Sequence, residues 1–436
     1  MGADRRVTLA VSGGSSSSHA AAGDRLVLVW LAVLVLVRIA LPLAVLTASG
    51  SALLPGFPEY EFEARPGDAH GYYSAARELL ATPQRLGPAL PGVLLAVAGL
   101  VFVAVRWRSR PSRRPQLAVA AVGCVAAIAT LLVLRMRYSG APTIGWPLVW
   151  SVPLLPYRAL GLPLDPNIAF GFGLALSLLA NGVTVVATYL LGLWATGKRS
   201  VGLLAASLFG LWPLLLLVVG KTRDIGTWQT EMGLSLYTEP LSTALVVTAA
   251  ALVVRSSRSA LADVFAGALL GFSVTVRLSN AAIAVCVVVV LALFDDRKAA
   301  LRVAAAGLMF VPVVLAYWPL GYVRLPAEQL PDALFALGHA VPAWRDSIVW
   351  GIRAFVVVIP LAVVGAFTIA RCQAALLWAW ILSTAIFYTF FTFTPLHPRF
   401  LFVVFPALFV LWAAGAVAIA GRVAAWRAYE SFIRPP

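Results

Sequence analysis

The chain has 436 residues, of which 61% are hydrophobic and only 12% are charged. Soluble domains are closer to half apolar and a quarter charged, so this composition excludes an ordinary soluble protein and indicates a polytopic membrane protein. The net charge of +15 comes almost entirely from arginine. Because these arginines are scattered among loops, we expect membrane lipids and phosphate-bearing lipids as partners, and no nucleic acid.

The N-terminal segment, residues 1–25, is polar and rich in Ser and Gly. Such a composition is typical of disorder, and we expect a disordered cytoplasmic tail. No convincing cleavage site precedes the first apolar run. We therefore predict that this run is a retained membrane span and not a signal peptide.

Apolar runs of about 20 residues, the length of a membrane-spanning helix, follow one another along the chain. Their nearly continuous Leu, Val and Ala predict helices and not barrel strands. The fold class is thus all-α, with about twelve spans at 26–48, 89–105, 117–134, 167–194, 200–219, 239–254, 263–276, 280–294, 300–318, 347–370, 375–392 and 400–420. They would form one transmembrane domain over 26–420, followed by a cytoplasmic tail at 421–436.

The distribution of Arg and Lys predicts the orientation. With the N-terminus inside the cell, 19 of the 33 cations fall in inner segments, mostly short ones, as the positive-inside rule expects. We therefore predict a multi-pass plasma-membrane protein. Its extracytoplasmic loops would be 49–88, 135–166, 220–238, 319–346 and 393–399.

The segment 263–294 could form one helix or two. A single helix of 32 residues would be about 48 Å long, too long for a hydrocarbon core of about 30 Å unless it is strongly tilted. A single span would also invert the orientation of everything after it. We predict two short helices broken near "RLSN", which places Arg277 at the outer surface and not in the costly bilayer middle.

The first outer loop contains "RPGDAHGYYSAARELL", residues 65–80. Its apolar residues recur with the spacing of one helix face, which predicts a short amphipathic helix on the outer membrane surface, limited at its far end by Pro83. Asp68 precedes this helix and can be read as its N-cap or as a chemical group. His70 is read first as a surface histidine.

Three further outer positions allow two interpretations each. Glu239, in "YTEPL", can be the first-turn acid of a helix capped by Thr238, or a functional carboxylate. Arg277 can extend to the membrane surface from a helix end, or bind an anion. Arg399, beside His397, opposes the dipole of the helix that follows, which favours a bound anion; lipid headgroups would be the ordinary one. No phosphate-binding Gly-rich loop and no metal-ligand spacing is present.

Several segments together resemble the C-type glycosyltransferase superfamily (GT-C), the polytopic enzymes that use polyprenyl-phosphate sugars. They occur in the order of the superfamily and cover about residues 60–415: "GDAHGYYSAARELL", "LLANGVTVVATYLLGLWATGKRSVGLLAASLFGLWP", "YTEPLSTAL", "AGALLGFSVTVRLSNAAI" and "HPRFLFVVFPALFVL". Each segment is degenerate, and the ordered set indicates the superfamily without identifying a family within it.

The resemblance implies a GT-C-like fold and a function. Asp68 would be the catalytic base, and Arg277 and Arg399 would neutralise the donor phosphate. The other substrate-binding positions that it implies are Tyr72, His70, Glu239 and His397. The enzyme would transfer a sugar, with inversion, from a polyprenyl-phosphate donor to a glycan, lipid or protein acceptor outside the cell; mannose and arabinose are the sugars that relatives suggest. No dedicated metal ligands are expected, although a divalent cation assists some relatives.

Two other functional classes share some of these features. A transporter or flippase of lipid-linked sugars would bind the same lipid phosphate without needing a base, although no convincing internal repeat is seen. A noncatalytic assembly protein would bind a partner through its outer loops. None of these loops exceeds about 40 residues, which argues against an assembly protein.

Overall fold

The computed structural model describes residues 16–48, 68–86, 143–218, 236–314, 358–390 and 398–433, apart from residues 256, 258 and 312. Every regular element within these ranges is helical. The helices are α1 (Ser16–Ala48), α2 (Asp68–Leu86), α3 (Gly145–Ser151), α4 (Leu155–Ala159), α5 (Pro166–Thr196), α6 (Arg199–Val218), α7 (Glu239–Val254), α8 (Ala260–Val276), α9 (Asn280–Phe294), α10 (Arg297–Leu308), α11 (Val358–Ala366), α12 (Arg371–Phe390) and α13 (Phe405–Ile433). Two 3-10 helices, Val152–Leu154 and Pro398–Val404, precede α4 and α13.

The apolar runs become helices because a continuous run of Leu, Val and Ala can bury its backbone only by pairing it internally. Three described segments are long and apolar enough to cross a membrane: Asp24–Val45, Ile168–Thr196 and Leu401–Arg427. Shorter apolar helices accompany them, so the all-α membrane architecture is supported while the number of about twelve spans stays a prediction. The predicted spans 89–105 and 117–134 lie outside the described residues.

Three helices extend further than the apolar pattern predicts. Helix α1 begins at Ser16, within the segment expected to be a tail, and α13 continues to Ile433. Helix α2 continues to Leu86, so the prediction that Pro83 limits it is wrong. Apolar runs mark only the part of a helix that lies in an apolar environment, whereas polar helix-forming residues can extend the helix beyond that part.

The break predicted near "RLSN" is confirmed, since α8 ends at Val276 and α9 begins at Asn280. Gly267 of α8 lies against Val303 of α10, and Gly271, one turn later, lies against Gly307, so α8 and α10 run in the same direction. Glycine is needed for this approach, because a Cβ on Gly271 would lie 2.5 Å from the Gly307 carbonyl oxygen. Helix α9 joins the end of α8 to the start of α10 through two short turns and therefore runs the opposite way.

The short basic connections gather at one end of the bundle, called here the basic end. Arg199 Nη1 lies 2.7 Å from Asp24 Oδ1, which brings the start of α6 beside the first part of α1. The guanidinium carbon of Arg255 lies 5.4 Å from the centre of the Trp194 ring, so α5 and α7 end at the same level. The connection from α7 to α8 and the turn from α9 to α10 belong to this end as well.

The opposite end, called here the site end, collects the start of α7, the end of α8 and the start of α9. Helix α3 packs there against both α2 and α8. The 3-10 helix Pro398–Val404 contacts α7 and α12. All of the predicted site residues that the structure describes thus belong to elements of one end of the bundle.

From the positive-inside rule we predict that the basic end faces the cytoplasm. We expect reporters fused after Lys198 and after Lys298 to be active only in the cytoplasm, because both residues lie at the basic end. A reporter that is active outside after Lys298 but inside after Lys198 would contradict the opposed directions of α8 and α9. An inverted orientation of the whole molecule would make both reporters active outside the cell. The two positions together therefore distinguish inversion from an error in the local topology.

Candidate functional site

The centre of the site end is a buried ion pair between Arg277 and Glu239. The Arg277 Nη1 atom lies 2.8 Å from Glu239 Oε1, and the two side chains are 11% and 4% exposed. Arg277 Nε donates a hydrogen bond of 2.5 Å to the Tyr388 hydroxyl. The guanidinium carbon also lies 5.3 Å from the centre of the Tyr388 ring. A carboxylate and a tyrosine from two other helices therefore hold the guanidinium in one orientation.

The backbone positions these groups by interrupting α8. Arg277 is the C-cap of α8 and has an extended backbone, with φ −151° and ψ 114°. Glu239 is the first residue of α7, and Pro240 is the second. Proline is tolerated there because the backbone N–H that it lacks would have no partner within the helix. Two separate helix ends thus meet, and each contributes one charge.

A second layer of hydrogen bonds fixes the break. Asn280 Nδ2 donates to Ser242 Oγ at 2.7 Å and to the Ser273 carbonyl at 3.1 Å. Ser279 Oγ and the Tyr388 hydroxyl are 2.7 Å apart. These bonds connect α7, α8, α9 and α12 around the ion pair, and their donors and acceptors are buried.

Burial alone lowers the pKa of the Arg277 guanidinium, since it disfavours the charged form. The charge of Glu239, together with Tyr388 and the hydrogen bonds to both side chains, raises this pKa by more. The net direction is upward, so Arg277 keeps its proton over the whole physiological pH range.

Helix α2 is attached to the site end by aromatic packing. The Tyr73 ring centre lies 6.0 Å from that of Trp150 and 5.0 Å from that of Phe170. Trp150 Nε1 donates to the Ala169 carbonyl at 2.7 Å, and Trp146 Nε1 donates to the Leu236 carbonyl at 2.8 Å. Helix α3 therefore joins α2 to the start of α5 and to the residues just before α7.

Helix α3 also lies directly against the end of α8. Thr143 Oγ1 donates to the Val276 carbonyl at 2.8 Å. A Cβ on Gly145 would lie 2.5 Å from Thr275 Oγ1, so only glycine permits this contact. The helix that begins at Asp68 is thus one packed element away from the residue that precedes Arg277.

The structure changes three sequence interpretations. Arg277 does not extend toward the membrane surface, because its guanidinium is buried and paired with Glu239. Thr238 occupies the N-cap position of α7, but its side chain makes no capping hydrogen bond. The apolar face of α2, including Tyr72 at 5% exposed, packs against protein and not on a membrane surface.

The remaining predicted site residues are only partly located. Helix α2 begins at Asp68 and includes His70, but the side chains of both lie outside the described part. Arg399 belongs to the 3-10 helix Pro398–Val404, again without a described side chain. His397 lies outside the described residues.

Two residues were missed by the sequence reasoning. Tyr388 lies in an apolar run, where a tyrosine is ordinary and nothing in the pattern singles it out. Arg38, in contrast, is a cation within the predicted span 26–48, and intramembrane charges usually mark function, so it could have been noticed.

Among the residues that the structure describes, no three His, Cys, Asp or Glu side chains are placed to hold a metal ion. No known protein-family model matches the chain. No curated protein matches its sequence either.

We expect Glu239→Gln to destabilise the protein by about 3–5 kcal/mol, because it leaves the Arg277 charge buried without its carboxylate. The measurement is equilibrium unfolding in mixed detergent micelles. Asp24→Asn is the matched control: its pair with Arg199 is 57% exposed on each side, and its loss should cost at most about 1 kcal/mol. Equal effects of the two substitutions would show that Glu239 and Arg277 are not coupled in the folded protein. Adding Arg277→Met to Glu239→Gln should recover part of the loss.

Proposed function

We propose that the protein is a membrane glycosyltransferase. It moves a sugar from a polyprenyl-phosphate donor to an acceptor on the extracytoplasmic side. The observation that carries the proposal is the contact between Glu239 and Arg277, which lie 2.8 Å apart although they belong to different segments of the ordered GT-C-like set. A chance resemblance of separate segments gives no reason for their charged residues to meet.

The position of this pair suits the substrate. It lies at the site end, opposite the basic connections, which is the extracytoplasmic end if the positive-inside rule holds. Nucleotides are not supplied on that side, so an activated sugar has to arrive on a lipid carrier. The headgroup of a lipid carrier lies at the level where membrane helices end, and here the start of α7 and the ends of α8 and α12 come together through Glu239, Arg277 and Tyr388.

The reaction is a single displacement. The oxygen of the acceptor hydroxyl forms a bond to the anomeric carbon, while the bond from that carbon to the phosphate oxygen breaks. The phosphate leaves with the bonding electron pair, and Asp68 takes the proton of the hydroxyl as general base. Cations near the phosphate stabilise the charge that develops on it.

The two predicted phosphate-binding cations have different roles in this proposal. The charge of Arg277 is already balanced by Glu239 at 2.8 Å, so the pair contributes little net positive charge. Its guanidinium supplies directed N–H donors in a fixed plane. The net positive charge that a departing phosphate requires is therefore assigned mainly to Arg399, in the 3-10 helix that contacts α7 and α12.

The proposal is tested by transfer from radiolabelled polyprenyl-phosphate sugars to a crude membrane acceptor. We expect Asp68→Asn to lower the rate by about 10²- to 10⁴-fold, the usual contribution of a general base. Asp165→Asn is the matched control, because Asp165 is an exposed acid immediately before α5, at the same end of the bundle. It should leave the rate unchanged.

A wild-type rate in folded Asp68→Asn would remove Asp68 from the chemistry. A different result would favour the transporter. If the wild-type protein transfers no sugar from any donor but speeds the movement of labelled polyprenyl-phosphate sugar between the leaflets of vesicles, the enzyme proposal is overturned. Asp68→Asn should then leave that movement unchanged.

A further inference from the structure

A cation lies inside the first membrane-spanning helix. Arg38 belongs to the segment Asp24–Val45, whose mean hydropathy is 2.7. Its side chain is fully buried. The helical rise places it about 21 Å along α1 from Asp24, which marks the basic end. A charge at such a depth is costly, and membrane proteins keep one there when the charge has a task inside the protein.

The surroundings of Arg38 are aromatic. Its guanidinium carbon lies 4.7 Å from the centre of the Phe209 ring and 5.8 Å from that of Phe402. The two ring centres are 5.7 Å apart. One cation therefore contacts two rings from different elements, α6 and the 3-10 helix Pro398–Val404. Cation–π contacts of this kind gain strength where water is excluded.

Phe402 shares its short helix with Arg399. A 3-10 helix has three residues per turn, so positions three apart lie on the same side of it. Arg399 thus occupies the backbone position one turn before Phe402 on that side. The same helix contacts α7 and α12, which carry Glu239 and Tyr388. Whatever holds Phe402 therefore also sets where the backbone of Arg399 lies.

We propose that Arg38 is a positioning residue that acts through Phe402. Its contacts with Phe209 and Phe402 hold the segment 398–404 against α1 and α6, so that the backbone of Arg399 stays at the site end. Arginine suits the task because a planar guanidinium can lie flat on a ring, whereas an ammonium cannot. The consequence for phosphate binding rests on the function proposed above, but the holding of the segment does not.

The direct test is amide hydrogen exchange of residues 398–404 in the full-length protein in nanodiscs. We expect Arg38→Met to speed exchange in this segment by about 3- to 30-fold, the range that the loss of a cation–π contact predicts. Arg25→Met is the matched control, since Arg25 is an exposed arginine of the same helix. It should change nothing in this segment.

A second variant covers the case in which Arg38→Met does not fold. Phe402→Leu keeps an apolar side chain and removes the ring, so it should speed exchange of the same residues in the same direction. Unchanged exchange in either folded variant would overturn the positioning role.

The kinetic test separates positioning from a general loss of structure. In the transfer assay, Arg38→Met should lower kcat/KM for the lipid donor per folded protein, because Arg399 is assigned both to binding the phosphate and to stabilising the charge that develops on it. The double variant Arg38→Met/Arg399→Met should be no worse than Arg399→Met alone, because Arg38 acts through the same segment. If the losses of activity of the two single variants add in the double variant, Arg38 does not act through the segment of Arg399. The exchange measurement needs no turnover, so failure of the transfer reaction and failure of the positioning role are distinct results.

Discussion

Within hydrocarbon, the backbone groups of a helix have to be paired inside that helix, so a change of direction is possible only where the chain leaves the membrane or is covered by protein. The break between α8 and α9 meets this condition at the site end. The Arg277 amide still donates to the Ser273 carbonyl at 2.8 Å, while its extended backbone sends the side chain away from the helical path toward Glu239. The side chain of Asn280 covers the same carbonyl from the start of α9. The polar cluster is built on this interruption, since Arg277 is the C-cap of α8 and Ser279 is the N-cap of α9.

The same constraint explains why the cluster joins so many elements. A buried charge is tolerated when it is paired and hydrogen-bonded, and each partner of Arg277 comes from a different helix. An ion pair of this kind adds little to stability compared with an apolar contact. An arrangement of helices that separates the two partners, however, leaves a buried charge unpaired and is strongly destabilised. We interpret it as a device that fixes how α7, α8 and α12 meet. In the proposed transferase, a cation that fixes the helices is less available to the donor phosphate, which is why the unbalanced charge is assigned to Arg399.

The sequence predicted those features that depend on local composition. The bounds of α7 and α9 agree with the predicted spans 239–254 and 280–294, because an uninterrupted apolar run begins and ends where the helix does. The pairing partner of Arg277 and the role of Tyr388 were not predicted, since both depend on which helix ends meet. The apolar face of α2 was recognised correctly from its spacing, but spacing alone cannot distinguish a helix on lipid from a helix on protein. That distinction is made by Trp150 and Phe170, whose rings pack against Tyr73 of α2.

Helix α3 gives the site end its continuity. On one side it receives α2 through Trp150, and on the other its first residue, Gly145, lies so close to Thr275 that no side chain fits between them. A displacement of α2 would therefore be passed through a rigid and closely packed element to the residue pair just before Arg277. In the proposed transferase, such a connection would keep Asp68 and Arg277 in a fixed relative position, as a general base and a phosphate-binding group require. Helix α3 is short, and its two tryptophans are held by hydrogen bonds to two other segments. It can therefore hold α2 and the end of α8 in a fixed relative position.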